Sequence, residues 1–168
     1  KKKFKKWKKK IIIFGGTGFI GINLLKKLCN LYRVTSVSRK IPTKINRIKN
    51  VNYMDCDVSK LKDLKKINSE YDFIINLSGN IDHKNKTQTI KTHFNGCKNI
   101  LKIFEKKKFK LFIQIGSSLE YGNLLSPHYE ASKAYPKSLY GKAKLKASNF
   151  IINLNKKKNF NFMILRLY

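Results

Sequence analysis

Acidic residues are scarce in this 168-residue chain: 9 Asp and Glu stand against 38 Lys and Arg, for a formal net charge of +29. Arginine is scarce too, since only Arg33, Arg39, Arg47 and Arg166 are found among those cations. A nucleic-acid surface ordinarily mixes arginine in, because its planar fork grips phosphates and bases bidentately. Here lysine runs along the whole length together with abundant asparagine and isoleucine, a bias that A+T-rich coding produces without any partner. No nucleic acid is expected. The 3 cysteines, Cys29, Cys56 and Cys97, lie far apart in no CxxC spacing. They exclude a disulfide framework and suggest reduced core thiols in a cytoplasmic setting. His83, His93 and His128 share no ligand spacing with them, so no metal site is expected.

Long apolar runs are also missing. Nothing approaches the roughly 20 residues of a transmembrane segment. The opening KKKFKKWKKK runs into IIIF, the order of a signal peptide, but four apolar residues are too few for its core. Residues 1–10 therefore read as a basic, solvated arm, with an anionic membrane surface as the other reading. The first residue is not methionine and the chain stops on the apolar run FMILRLY. Both ends are thus expected to be cut from something longer.

What is present suffices for one domain with a core: 42% of residues are hydrophobic and 12% aromatic. Short apolar runs at 11–14, 34–37, 51–54, 73–77, 111–115 and 162–167 read as strands. Between them lie helical patterns: one with Ile20, Leu24, Leu28 and Leu31 on one face, a short one carrying Val58, Leu61, Leu64 and Ile67, and a long one around 86–106. A last helix is expected from about Leu139 to Leu154. Strands that are apolar throughout and alternate with helices imply an α/β fold, a Rossmann-like doubly wound parallel sheet with helices on both faces, over residues 11–168.

The stretch FGGTGFIG places Gly15, Gly18 and Gly21 between the first strand and its helix. Gly15 permits a tight turn, Gly18 removes a side chain where a diphosphate would approach, and Gly21 allows close helix–sheet packing. The helix start offers amide donors to that diphosphate, so Thr17, Phe19 and Ile20 join the glycines as expected cofactor contacts. At the end of the second strand, an NAD site usually carries an acid for the ribose 2′-hydroxyl. This chain has Ser38 and Arg39, which suit a 2′-phosphate, so NADP is preferred over NAD. Asp57 and Val58 are expected near the adenine. Leu77, Ser78 and Gly79 are expected beside the cofactor at the end of strand four.

Two tyrosines each have a lysine four positions on: Tyr129 with Lys133, and Tyr140 with Lys144. A phenol one helical turn from an ammonium can move protons, and either pair has the spacing.

Taken together, GGTGFIG, DV at 57–58, NLSG at 76–79, GCKNIL at 96–101, IGSSLEYG at 115–122, PKSLYGKAK at 136–144 and the closing ILRLY resemble the extended short-chain dehydrogenase/reductase family, in its NAD(P)-dependent epimerase/dehydratase branch. The resemblance spans residues 11 to 168 in the family's order. It selects between the tyrosines, because PKSLYGKAK fits the family's Pro-x-Ser-x-Tyr-Gly-x-x-Lys pattern. Pro136, three residues after Lys133, would also break any helix holding the first pair in register. Tyr140 and Lys144 are therefore the expected catalytic pair, and Tyr129 and Lys133 loop residues.

The resemblance implies hydride transfer at a carbon of a nucleotide-linked sugar. Lys144 would lower the pKa of Tyr140 and hold the nicotinamide ribose. Ser117 would hold the reacting oxygen, with Ser118 the weaker candidate for the substrate. The family's dehydratases carry an acid two before the YG tyrosine. Leu119 stands there with Ser118 just ahead, and Glu120 is out of register, so 4-keto reduction or epimerisation is expected rather than dehydration. His93 stands where many relatives have asparagine. The alternatives are an NADP-sensing regulator without turnover and a reductase of a non-sugar carbonyl. The resemblance further implies that a C-terminal substrate lobe is absent from these residues, that the fragment alone turns over poorly, and that a full-length form has the option of a homodimer.

Overall fold

A computed structural model of the chain describes residues 9–67, 70–80 and 85–168. Among these residues six strands form one sheet: β1 (Lys10–Phe14), β2 (Arg33–Ser38), β3 (Val51–Asp55), β4 (Phe73–Asn76), β5 (Leu111–Ser117) and β6 (Phe162–Leu167). Their order is β3-β2-β1-β4-β5-β6, and every pairing is parallel. That order reverses direction between β1 and β4, which opens a crevice outside the carboxyl ends of the strands. The basic arm lies outside the described residues as far as Lys8, and Lys10 already belongs to β1.

Among the described residues five α-helices connect the strands: α1 (Phe19–Leu28), α2 (Leu61–Leu64), α3 (Lys86–Ile90), α4 (Gly96–Phe104) and α5 (Leu139–Lys158). The expected helix around 86–106 is present, but a π-helical turn, Lys91–Asn95, interrupts it between α3 and α4. No helix of the described residues is long and apolar enough to cross a membrane.

Alternate residues of the strands other than β6 feed two cores, as period-2 geometry requires. On one face, Ile12, Phe14, Val37, Ile74 and Phe112 pack with Leu64, Ile100, Leu101, Phe104, Ala147 and Ile151 from α2, α4 and α5. On the other, Ile11, Ile13, Val34 and Ile75 pack with Leu25 of α1. Each such side chain contributes about 1.5–3 kcal/mol by leaving water. The expected face of α1 is corrected here. Leu25 is its buried leucine, Leu24 and Leu28 are half-buried, and Ile20 is exposed, while Leu31 lies past the helix end at 65% exposure. Leu31 continues the spacing only in sequence, because the helix stops three residues before it.

On β6, Phe162 and Ile164 face the core, whereas Met163, Leu165 and Leu167 are open to solvent on the other side. β6 is also an edge of the sheet.

Candidate functional site

The turn after β1 shows why its glycines are spaced as they are. Gly15 has φ +80°, and a Cβ there would lie 2.8 Å from the backbone of Leu77 and Ser78. Its N–H donates to the carbonyl of Val37 at 2.8 Å. A Cβ on Gly21 would press into Gly15 and Gly16 at 2.5–2.6 Å, so helix α1 sits directly against the turn. A Cβ on Gly18 would meet only the Gly15 carbonyl oxygen, at 3.4 Å. Gly18 therefore has room toward solvent, and what the bare position serves is approach from outside. Gly18 caps α1 without a side-chain hydrogen bond, and no acid stands in the first turn. The leading amides, Phe19 and Ile20 among them, thus point outward as donors. Thr17 lies in the turn, half-buried. This geometry fits a diphosphate. Gly16, which the sequence pattern did not single out, is packed against Ser36 of β2.

At the end of β2, Ser38 donates its hydroxyl to the Lys40 carbonyl at 2.8 Å. Arg39 is exposed, with no hydrogen bond or ion pair among the described residues. The β2–β3 register sets Asp55 directly across from Ser38. An acid is therefore next to this strand end after all, contrary to the reading along the chain. Asp57 uses a carboxylate oxygen on the amide and hydroxyl of Ser59, at 2.9 and 2.8 Å. Val58 is buried against Gly96 of α4.

After β4, Asn76 is fixed by Gln114, to which its amide donates at 2.8 Å, and accepts from both the amide and hydroxyl of Ser78. Leu77 and Ser78 form the wall against Gly15. Gly79 is pressed against the imidazole of His93. His93 is buried in the π-helical turn, and its Nε2 lies 3.3 Å from both the amide and the carbonyl oxygen of Asn80. π-turns concentrate at functional sites. This one turns His93 edge-on to Tyr140, with centroids 4.9 Å apart and planes at 87°. Contacts thus run without a break from the glycine turn through Leu77–Gly79 and His93 to Tyr140.

Tyr140 stands in the first turn of α5, which Ser138 caps by accepting from the Gly141 amide at 3.0 Å. The proline-bearing segment ahead of it holds Tyr129, 67% exposed, and Lys133, whose ammonium lies over Tyr135. Both are loop residues, as expected. Ser117 ends β5, is buried, and shares a hydrogen bond with Tyr140. Ser118 opens the 3-10 turn Ser118–Glu120 and is half-buried.

Lys144, one turn along α5, is 5% exposed and donates to the Ile115 carbonyl at 2.8 Å, with its Nζ 5.6 Å from the Tyr140 ring centre. Burial brings this ammonium down to about 8, against the opposing pull of Glu120 and Cys97. The Tyr140 phenol departs from expectation. Burial pushes it above its ordinary value, the Ser117 hydrogen bond pulls it down, and Glu120 pushes it up. Lys144 is not among the causes that move this phenol, and one of its N–H groups donates to Ile115. At neutral pH this leaves a protonated phenol beside a charged ammonium, an acid ready to give a proton.

Glu120, which the sequence places out of register for elimination, has a role that spacing did not show. Its carboxylate is wholly buried, accepting from the Ser117 amide at 2.9 Å, the Ser148 hydroxyl at 2.8 Å and Arg166 Nε at 3.0 Å. No cluster of His, Cys, Asp and Glu among the described residues could hold a metal ion, and His83 lies outside them.

Comparison with known proteins gives concordant findings. The family model described as "NAD dependent epimerase/dehydratase family" matches residues 11–168. The ADP-L-glycero-D-manno-heptose-6-epimerase of Brachyspira hyodysenteriae is 30% identical over an alignment covering 94% of this chain and 52% of that protein. The UDP-glucose 4-epimerase of Thermotoga maritima, solved with UDP-glucose, superposes with a TM-score of 0.84 at 23% identity, covering 94% of this chain and 54% of its own. The UDP-glucuronic acid 4-epimerase of Bacillus cereus, solved with UDP-glucuronic acid and NAD, gives 0.83 at 23% identity over 94% and 55%. The chain spans about half the length of these relatives.

Proposed function

The chain belongs to the NAD dependent epimerase/dehydratase family, and from that premise we propose that it is the dinucleotide-binding and proton-transfer part of an enzyme acting on a nucleotide-linked sugar by epimerisation or 4-keto reduction. One observation carries the reading: Ser117, Tyr140 and Lys144 gather at the carboxyl edge of the sheet on which the open glycine turn also lies, with unbroken packing between them. A retained Tyr140–Lys144 pair argues against a regulator without turnover.

The nicotinamide would supply the hydride acceptor and donor at the sugar carbon. The turn at Gly15, Gly18 and Gly21 and the amides at the start of α1 would hold the diphosphate. Tyr140 as the phenol gives its proton to a sugar oxygen, and as the phenolate this leaves it takes one from a sugar hydroxyl. Ser117 keeps that oxygen against the phenol. Lys144 holds its positive charge at the base of Tyr140, where an anionic phenolate would form. Neither Leu119 nor Ser118 offers the acid that elimination of water needs.

The dinucleotide is proposed to be NADP, on Arg39, exposed and uncommitted at the end of β2. Asp55, set across from Ser38 by the register, supports the second reading, NAD. Three free, buried thiols suit a reducing cytoplasm. A homodimer is proposed only for the full-length protein. The test is titration with NADPH and NADH, followed by nicotinamide fluorescence, and turnover of a panel of nucleotide sugars by the full-length protein. Dinucleotide binding with sugar-dependent hydride transfer is the expected result. No binding of either dinucleotide would sink the reading.

A further inference from the structure

Glu120 is the one acid buried among the proton-carrying groups, and the chemistry proposed above makes no use of it. It is 0% exposed, yet it satisfies three donors from three elements: the Ser117 amide at the end of β5, the Ser148 hydroxyl on α5 and Arg166 Nε on β6. Ser148 lies one turn beyond Lys144 on the same helix, so the carboxylate pins α5 where Lys144 leaves it. The Ser117 side chain accepts in turn from the Leu119 amide, which completes a reciprocal cap with Glu120. Arg166 is held a second time, by Tyr121, to whose hydroxyl Nη1 donates at 2.9 Å and over whose ring it lies.

We propose that Glu120 is a positioning residue: by bonding the Ser117 amide on one side and Ser148 and Arg166 on the other, it fixes the Ser117 hydroxyl against Tyr140 and ties that pair to β6. This rests on the proton-transfer role given to Tyr140. An apolar strut would serve packing equally well, since buried ion pairs seldom add stability over well-packed hydrocarbon. What a carboxylate adds is an acceptor for the Ser117 amide and a charge that both Tyr140 and Lys144 feel. The groups facing this set are Arg166 and Tyr121 on the Glu120 side, His93 from the π-turn at Tyr140, and Cys97 of α4 at Lys144.

The experiment uses the full-length protein with Glu120→Gln, which keeps shape and loses charge, and the double variant Glu120→Leu/Arg166→Met, which removes the pair without stranding either partner. Thermal melting and dinucleotide titration report the fold. Tyrosinate absorbance, with Tyr140→Phe as background, reports the phenol, and steady-state kinetics reports turnover. Folded, dinucleotide-binding variants are expected in which Tyr140 titrates about half a unit to one unit lower. Their kcat should fall about tenfold or more at nearly constant KM. Folded variants with the wild-type Tyr140 midpoint and wild-type kcat overturn the proposal, and so does failure of both variants to fold. If the midpoint moves while even the wild type turns over no nucleotide sugar, the positioning role stands and the sugar reading falls.

Discussion

Lys144 spends its ammonium on the backbone: Nζ donates to the carbonyl oxygen of Ile115 across 2.8 Å, in a site 5% open to water. Burial disfavours the charged form and brings this ammonium down to about 8 from an ordinary 10.5. Below pH 8 the folded and unfolded chains both carry this proton, and the fold bears the full penalty of burying it. Between about 8 and 10.5 the unfolded chain binds more protons, so stability rises with pH. Above that window the penalty is gone.

Replacement of Lys144 by methionine should therefore stabilise the fold at pH 7 by about 2 kcal/mol, the shift being worth about 3 and the lost hydrogen bond about 1, while the Ile115 carbonyl still accepts from Gln114 Nε2 at 2.9 Å. Melting curves at pH 7 and pH 10.5 check this. The gain should shrink at the higher pH, and turnover should be lost at both. A variant less stable than wild type at pH 7 would contradict the assignment.

Gly18 and Gly21 should separate binding from folding. Gly18→Ala meets only the Gly15 carbonyl oxygen, at 3.4 Å, and has an ordinary φ of −76°, so it should cost at most about 1 kcal/mol of stability while weakening dinucleotide binding severely. Gly21→Ala meets rigid backbone and should cost about 1–3 kcal/mol as well as binding. Denaturant melts beside fluorescence titrations distinguish the two.

The 2′-position of the cofactor is decided by Arg39 and Asp55. Arg39→Ala should weaken NADPH by about tenfold and leave NADH unchanged, whereas Asp55→Asn should do the reverse only if NAD is the natural cofactor. Paired titrations give the answer directly.

Removing the Tyr140 hydroxyl with phenylalanine should abolish turnover in the full-length protein, by at least about a hundredfold, with dinucleotide affinity kept. Tyr129→Phe, at an exposed loop position, should change neither. The opposite pattern in kcat would show that the wrong tyrosine was selected.

Those two tyrosines also mark how far sequence alone reaches. The strands and the helix of Tyr140 were legible because each follows from a local pattern: an apolar run, a glycine turn, a proline that forbids a helix. The face of α1 was misread because the same spacing runs on through Leu31, and nothing local says where the last turn frays. Asp55 escaped notice because register, a property of two strands, brings it to Ser38. The setting of Glu120 escaped for a similar reason, since its partners Ser148 and Arg166 lie 28 and 46 residues away. The phenol of Tyr140 was expected to be acidified by its lysine. Spacing placed the lysine correctly, but only coordinates show its donor turned to Ile115.

β6 has a consequence for handling the chain. A strand with an unpaired rim and a greasy outer side, Met163, Leu165 and Leu167, invites a second copy to zip alongside it. The surplus of +29 keeps copies apart at low ionic strength. Added salt shrinks that repulsion to within about 8 Å of each surface near 0.15 M. The 168-residue polypeptide should thus cloud or form dimers as sodium chloride rises, the reverse of the salting-in that its lysine content would suggest.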